Sequence, residues 1–255
     1  MSVEGAVTVT RSEEAARPVK EGDLLKVNDV LEVGDGAYAD IAYDREWNNV
    51  TRVEESSKIR IRALYPTMVQ LDAGGIYAKL KQLPKESSFE VQTPTAIASV
   101  RGTEYRTTYT GGETEVYNVS DSDVYVYGVD ESGHRQAAQP TILRNTQKTE
   151  VLSRGAPPLQ PRRMDAQDFR PVQHARERIE GKMQENIAHG RFGQIQDVKQ
   201  VENGEWKARP HDERRDRPPM GEGGPDRTGP NAPRDPNKQQ QGNRPARPTK
   251  PAPRR

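Results

Sequence analysis

From Val3 to Tyr127 the apolar positions recur with a period of two, the signature of half-buried strands. Lys58-Ile-Arg-Ile-Arg62 is the clearest case: Ile59 and Ile61 share one face, while Lys58, Arg60 and Arg62 share the other. The same alternation runs through Ala6–Thr10, Ala39–Tyr43, Met68–Leu71, Ile76–Lys81, Phe89–Val91, Glu104–Tyr109, Thr114–Val119 and Asp123–Tyr127. Turn residues separate these runs: Gly22-Asp23, Gly34-Asp-Gly36, Gly74-Gly75, Gly111-Gly112 and Ser120–Asp123. Thr110-Gly-Gly-Glu113 between two alternating runs predicts a hairpin. Many short strands without a helix among them define an all-β domain, either a two-layer β-sandwich or a β-solenoid-like stack, and periodicity alone does not separate the two.

Gln139–Leu143 and Thr149–Leu152 read as final edge strands closing a domain over residues 1–155. The pattern then changes. Pro157-Pro-Leu-Gln-Pro-Arg-Arg163 reads as linker. Val172, Ala175, Ile179, Met183 and Ile187 follow at helical spacing and predict an amphipathic helix over about 168–189, within a segment spanning 156–205. Pro171 suits a first turn and Gly190 a C-terminal stop. The apolar stripe is narrow, so the helix needs a surface to lie on. No aromatic residue follows Trp206, and residues 206–255 read as a disordered tail rich in Pro, Arg and Gln.

One stretch is more specific than the rest. Val91-Gln-Thr-Pro-Thr-Ala-Ile-Ala-Ser-Val-Arg-Gly-Thr-Glu-Tyr105 combines a Thr-Pro break, a run of small apolar residues, and Arg-Gly-Thr before another strand. It resembles the signature of the FecR domain, an extracytoplasmic bacterial module. The opening strand Gly5–Thr10 and the blocks Pro18–Leu25 and Asn28–Tyr43 extend the resemblance to about residues 3–128. Asp44–Asn49 departs from the Asp-Gly-Ser turn often found in the family, and Asn118–Asp123 replaces a glycine-bearing segment. Family members that regulate sigma factors carry a cytoplasmic helical segment and a membrane span ahead of the domain, and sense the signalling domain of an outer-membrane transporter. The sequence shows neither segment, so the resemblance implies partner binding but not the anti-sigma role. It also implies a β-solenoid-like layout and a periplasmic or otherwise extracytoplasmic setting, with a leader that would precede Met1.

Composition sharpens the division of the chain. All nine tyrosines lie at or before Tyr127, and fifteen of the twenty prolines lie from Pro157 onward. Residues 1–155 carry 18 Lys+Arg against 24 Asp+Glu, a net of −6, whereas residues 156–255 carry 21 against 14, a net of +7. An acidic domain with a basic tail points to anionic contacts for the tail, such as a cell-wall polymer. Cysteine is absent, which excludes disulfides and thiol chemistry. No apolar run is long enough to span a membrane, and no signal peptide is visible.

Candidate chemistry is sparse. Ser99 and Ser120 lack a nucleophile-elbow setting, and His134 reads as a loop residue. Ser120–Asp123 offers oxygens but not a calcium-loop spacing, so a strand-joining turn is preferred. Asp35, Asp40, Asp44 and Glu46 read as loop and strand-end acids, too loosely placed to suggest a glycosidase pair. His174 and His189 have no ligand partner at suitable spacing. No catalytic residue, metal, cofactor or small-molecule substrate is expected. Thr93, Pro94, Arg101, Gly102 and Thr103 read as structural motif residues, with Arg101 pairing a carboxylate such as Glu104. Tyr117, Tyr125 and Tyr127 are the candidate binding residues, as a surface stripe for a protein partner in the envelope or for a sugar, with a second inward face of a two-layer domain as the equal alternative. The competing class is a nucleic-acid or polyanion binder acting through the tail, with twelve Lys+Arg against six acids from Arg209 onward. No aromatic residue is interleaved there for base stacking, which places nucleic acid second.

Overall fold

The computed structural model describes residues 1–12, 14–44, 47–81, 83 and 87–188. The sequence-predicted basic tail, Glu46, His189, Gly190 and Trp206 lie outside the described residues. The elements are β1 (Ser2–Glu4), β2 (Val7–Thr10), β3 (Arg17–Pro18), β4 (Val30–Val33), β5 (Tyr38–Ala42), β6 (Asn49–Val53), β7 (Ser57–Leu64), β8 (Thr67–Leu80), β9 (Phe89–Gln92), β10 (Ala96–Val100), β11 (Glu104–Thr110), β12 (Glu113–Asn118), β13 (Val124–Gly128), β14 (Thr141–Leu143), β15 (Gln147–Val151), β16 (Arg162–Arg163) and α1 (Ala166–Ala188).

The strands form two layers. Sheet A runs β1-β5-β6-β8-β11-β12-β15-β16 and is antiparallel throughout. Sheet B runs β3-β2-β4-β7-β8-β9-β10-β13-β14, with β8 and β9 its one parallel pair. Of the two architectures left open by periodicity, the chain adopts the two-layer one, and β8 belongs to both layers. Its first half pairs with β7 and β9, its second half with β6 and β11.

The crossing falls at Gly74-Gly75. The pair is therefore not the reversal that its composition suggested but a bend inside a 14-residue strand. Gly74 has φ +86° and lies so close to β7 that a Cβ there would stand 2.6 Å from the Ser57 Cα. Ser57 Oγ accepts a hydrogen bond from the Gly75 N–H at 2.8 Å, and the ladder shifts register between Lys58 and Ile59. A glycine without side-chain volume at a bulge is what lets one strand feed two sheets.

The inward residues of both layers form the main core. Sheet B contributes Val9, Leu31, Ile59, Val69, Leu71, Phe89 and Val126, and sheet A contributes Ala39, Val53, Ile76, Ala78, Tyr105 and Val116. Phe89 sits between Tyr43 and Tyr105 in edge-on ring contacts. Fully burying side chains of this size contributes about 1.5–3 kcal/mol each.

The chain does not leave the body at residue 155. Leu159 N–H donates to the Glu150 carbonyl at 2.9 Å and Thr149 Oγ1 donates to the Leu159 carbonyl at 2.6 Å, so the proline-bearing segment lies along β15 rather than acting as a free linker. Thr149–Val151 is in consequence not at the sheet edge. Pro157, Pro158 and Pro161 have no N–H to offer, which blunts this edge against further pairing. Asp165 then caps α1, accepting from Gln167 N–H at 2.8 Å, while Asp168 Oδ2 accepts from Asp165 N–H at 3.0 Å, a reciprocal capping box. Because α1 begins at Ala166, Pro171 lies in its second turn rather than its first.

Candidate interaction face

The outer face of sheet A is where α1 docks. Val172, Ala175 and Ile179 pack with Met164, Val50, Tyr77 and Tyr117 in a second buried cluster. Ion pairs frame it. Arg176 pairs with Glu104, Lys79 Nζ lies 2.6 Å from Glu180, and Lys148 Nζ lies 3.3 Å from Asp168. The surface that the amphipathic helix required is this face.

Tyr117 is consequently not a surface residue. It is 5% exposed, its hydroxyl donates to Glu115 Oε2 at 2.6 Å, and its ring lies beneath the Lys148 ammonium and the Arg106 guanidinium. Burial and the Glu115 carboxylate both push its pKa up. Tyr125 and Tyr127 lie on β13, in the other sheet. The three tyrosines do not form one stripe: alternation places each on an outer face, but not on the same sheet.

The remaining charges of the sheet A face are paired. Arg52 holds Asp40 through two contacts of 2.7 Å, both residues fully buried, and the Arg52 guanidinium lies 4.0 Å from the Tyr38 ring centroid. Burial pushes the Asp40 carboxyl up, and Arg52 counters this only in part. Arg106 grips Glu54 at 2.7 and 2.6 Å. Burial and the Glu4 carboxylate raise the Tyr38 hydroxyl to about 12.

The outer face of sheet B has no described helix or strand packed on it. Its outward residues line up in two rows that cross the strands. One runs Arg60, Gln70, Gln92, Ile97, Tyr127 through direct register pairs. The other runs Met68, Glu90, Ser99, Tyr125, Ile142, with Arg62 beside Met68 at a register shift in β7. The loop after β13 leans on the tyrosine end: Gln92 Nε2 donates to the Gly133 carbonyl at 3.3 Å, and Arg135 lies 4.2 Å over the Tyr127 ring while pairing with Glu90 at 2.6 Å. Tyr125 and Tyr127 are half-buried, and Ile142 is 43% exposed. Arg60 and Arg62 make no ion pair with any described residue, whereas Lys58 is matched by Glu32.

The motif residues sit between these faces. Thr93 Oγ1 accepts from Thr95 N–H and Ala96 N–H at 3.2 and 2.9 Å and meets Thr114 Oγ1 at 2.6 Å, so Thr93-Pro94 forms the tight turn between β9 and β10. The Arg154 guanidinium donates to the Pro94 carbonyl at 3.2 Å. Gly102 has φ +143°, a conformation that favours glycine, and buried Thr103 contacts Ser120. Arg101 differs from expectation. It is exposed and does not pair with Glu104, which is committed to Lys79 and Arg176. His134 is exposed in its turn, and Asp121 accepts from Asn145. Among the described residues no three His, Cys, Asp or Glu side chains converge as a metal site, and no helix is long and apolar enough to cross a membrane.

Residues 29–124, which run from the start of β4 into β13, match the FecR protein family model. No curated protein matches it. It is similar to two crystal structures of a candidate anti-sigma factor from Parabacteroides distasonis. One has 15% identity and a TM-score of 0.43, the other 16% and 0.42. Each match covers 54% of this chain and 61% of that one, so the chain spans about three fifths of their length.

Proposed function

We propose that this chain is a non-enzymatic binding or scaffold module of the bacterial envelope, signalling-related, that holds a protein partner on the outer face of sheet B. The observation that carries the reading is the difference between the two outer faces: α1 seals that of sheet A, while that of sheet B is left with Tyr125, Tyr127 and Ile142 at one end and unpaired arginines at the other. Tyrosine and arginine are the residues most enriched where interface energy concentrates. The FecR-family match supports an envelope setting and a regulatory role. Nothing in the described residues resembles a catalytic constellation: there is no cysteine, the described histidines are exposed, and the buried carboxylate Asp40 is locked to Arg52.

The test is quantitative capture from envelope extracts, comparing the native chain with a Tyr125→Ser/Tyr127→Ser variant of unchanged melting temperature. Loss of a captured species with the variant, and its retention with a Glu177→Ala variant on the solvent side of α1, is the expected result. Equal capture by all three chains contradicts the reading.

A further inference from the structure

The geometry points to the kind of segment that this face takes: an extended acidic protein segment lying across the strands of sheet B, its carboxylates at Arg60 and Arg62 and its apolar end on Tyr125, Tyr127 and Ile142. This rests on the binding-module reading and adds to it the chemistry and polarity of the partner.

Both rows run from the arginine end of β7 to a tyrosine of β13: the first passes Gln70, Gln92 and the buried Ile97, and the second, which Arg62 joins at the register shift before the Ala63–Met68 pair, passes Met68, Glu90 and Ser99 and continues to Ile142 on β14. β7 to β13 is four strand spacings, about 19 Å at about 4.8 Å each, which about six extended residues match at about 3.3 Å per residue. The charges of the face are Arg60, Arg62 and Asp72, apart from the matched pairs Lys58–Glu32 and Arg135–Glu90. Asp72 is engaged by the Gln70 amide at 2.6 Å, so the two arginines are the charges left without a described partner. Guanidinium groups bind carboxylates in fork geometry. In the middle, Gln70 and Gln92 each commit one amide N–H, to Asp72 and to the Gly133 carbonyl, and Ser99 donates to Glu90 at 3.1 Å, so each glutamine amide has a second N–H and a carbonyl oxygen to offer. At the far end, aliphatic Ile142 adjoins Tyr125 in register, and Ile97 adjoins Tyr127. Aliphatic side chains beside the rings favour apolar side chains of a protein over a sugar, which stacks on aromatic rings but gains little from isoleucine.

The experiment uses the full chain and two fluorescein-labelled hexapeptides, Leu-Ile-Ser-Gly-Glu-Glu and Leu-Ile-Ser-Gly-Lys-Lys, read by fluorescence anisotropy. The native chain should bind the glutamate peptide at least fivefold more tightly than the lysine peptide. Arg60→Glu/Arg62→Glu, at positions whose side chains support no described contact, should reverse that order, and Tyr125→Ser should weaken both. Residues 189–255 are identical in all these chains, so the reversal reports the face alone. An unchanged preference in Arg60→Glu/Arg62→Glu overturns the inference, as does absence of binding. Binding of sodium alginate, lost in Arg60→Glu/Arg62→Glu, without peptide binding also overturns it and assigns the face to acidic polysaccharide. Arg60→Glu/Arg62→Glu capturing the envelope species as well as the native chain, while Tyr125→Ser/Tyr127→Ser does not, refutes the acidic segment but leaves the binding-module reading standing.

Discussion

Tyr117 and Lys148 stand opposite each other on β12 and β15, and the Lys148 ammonium lies 4.9 Å from the Tyr117 ring centroid. Around that contact Lys148 also meets Glu115 at 2.6 Å, Glu150 at 3.1 Å and Asp168 at 3.3 Å, with only 4% of its side chain exposed. One buried cation thus joins sheet A to the first turn of α1. Removing it leaves three carboxylates short of a partner. Lys148→Ala should destabilise the protein by about 2 kcal/mol, below the usual cost of breaking a fully buried pair because Glu115 and Glu150 remain partly in water. Urea denaturation measures this, and a change under 0.5 kcal/mol would remove Lys148 from the account.

The same cluster predicts how α1 responds to pH. Burial alone would raise Glu115 and Asp168, but Lys148, Tyr117 and Arg162 outweigh it, and both carboxyls end below their ordinary values of 4.5 and 3.8. Burial alone would lower Lys148, but Glu115 and Glu150 outweigh it and raise it above 10.5. Depressed carboxyls stabilise the fold above their unfolded pKa and lose that contribution as pH falls through the folded one. A raised lysine stabilises below its unfolded pKa and loses that contribution as pH rises through the folded one. Docking of α1 should therefore be flat between about pH 5 and 10 and loosen beyond either end. Hydrogen exchange of α1 amides, corrected for intrinsic rates, should show that plateau. A step near pH 6.5 would point instead to histidine control.

Gly74 and Gly112 both have positive φ, +86° and +94°, but their surroundings differ. A Cβ on Gly112 meets nothing within 4 Å, whereas one on Gly74 runs into the Ser57 backbone. Gly112→Ala should cost about 1 kcal/mol, the conformational penalty alone. Gly74→Ala should cost at least about 3 kcal/mol, because β7 must move away from the sheet crossing. Thermal unfolding of the two variants ranks them, and equal melting temperatures would refute the crossing as described.

The Thr93–Tyr105 motif should separate into parts with different costs. Thr93→Val removes a hydroxyl that serves two backbone N–H groups and Thr114, all buried, and should cost about 2 kcal/mol. Arg101→Ala should stay within about 0.5 kcal/mol, since Arg101 is exposed and unpaired among the described residues. Chemical denaturation of both variants checks the contrast, and a large loss in Arg101→Ala would mean that the arginine carries a structural contact.

Strand identity was legible because each run buries alternate residues: Val7 and Val9, Ile59 and Ile61, Val124 and Val126 all point into the core as their spacing requires. The two-layer arrangement was not, because period two states that a residue faces outward without stating from which sheet. Tyr117 and Tyr125 obey the same local rule on opposite layers. Gly74-Gly75 misled for a related reason, since a glycine pair serves a reversal and a close backbone crossing equally well. The helix was readable from its spacing, and its need for a surface from the narrowness of its stripe. That it lies on sheet A rests on long-range pairs, Arg176 with Glu104 and Lys79 with Glu180, which carry no local signal.

The most direct test of the account is site-specific photo-crosslinking in cells that express the native chain, with benzoylphenylalanine at position 125 on the sheet B face or at position 177 on the solvent side of α1. The account predicts a discrete protein adduct from position 125 that is lost on adding Arg60→Glu/Arg62→Glu, and none from position 177. Adducts from position 177 with none from position 125 would contradict it, placing the partner on the helix and leaving the open sheet without a role.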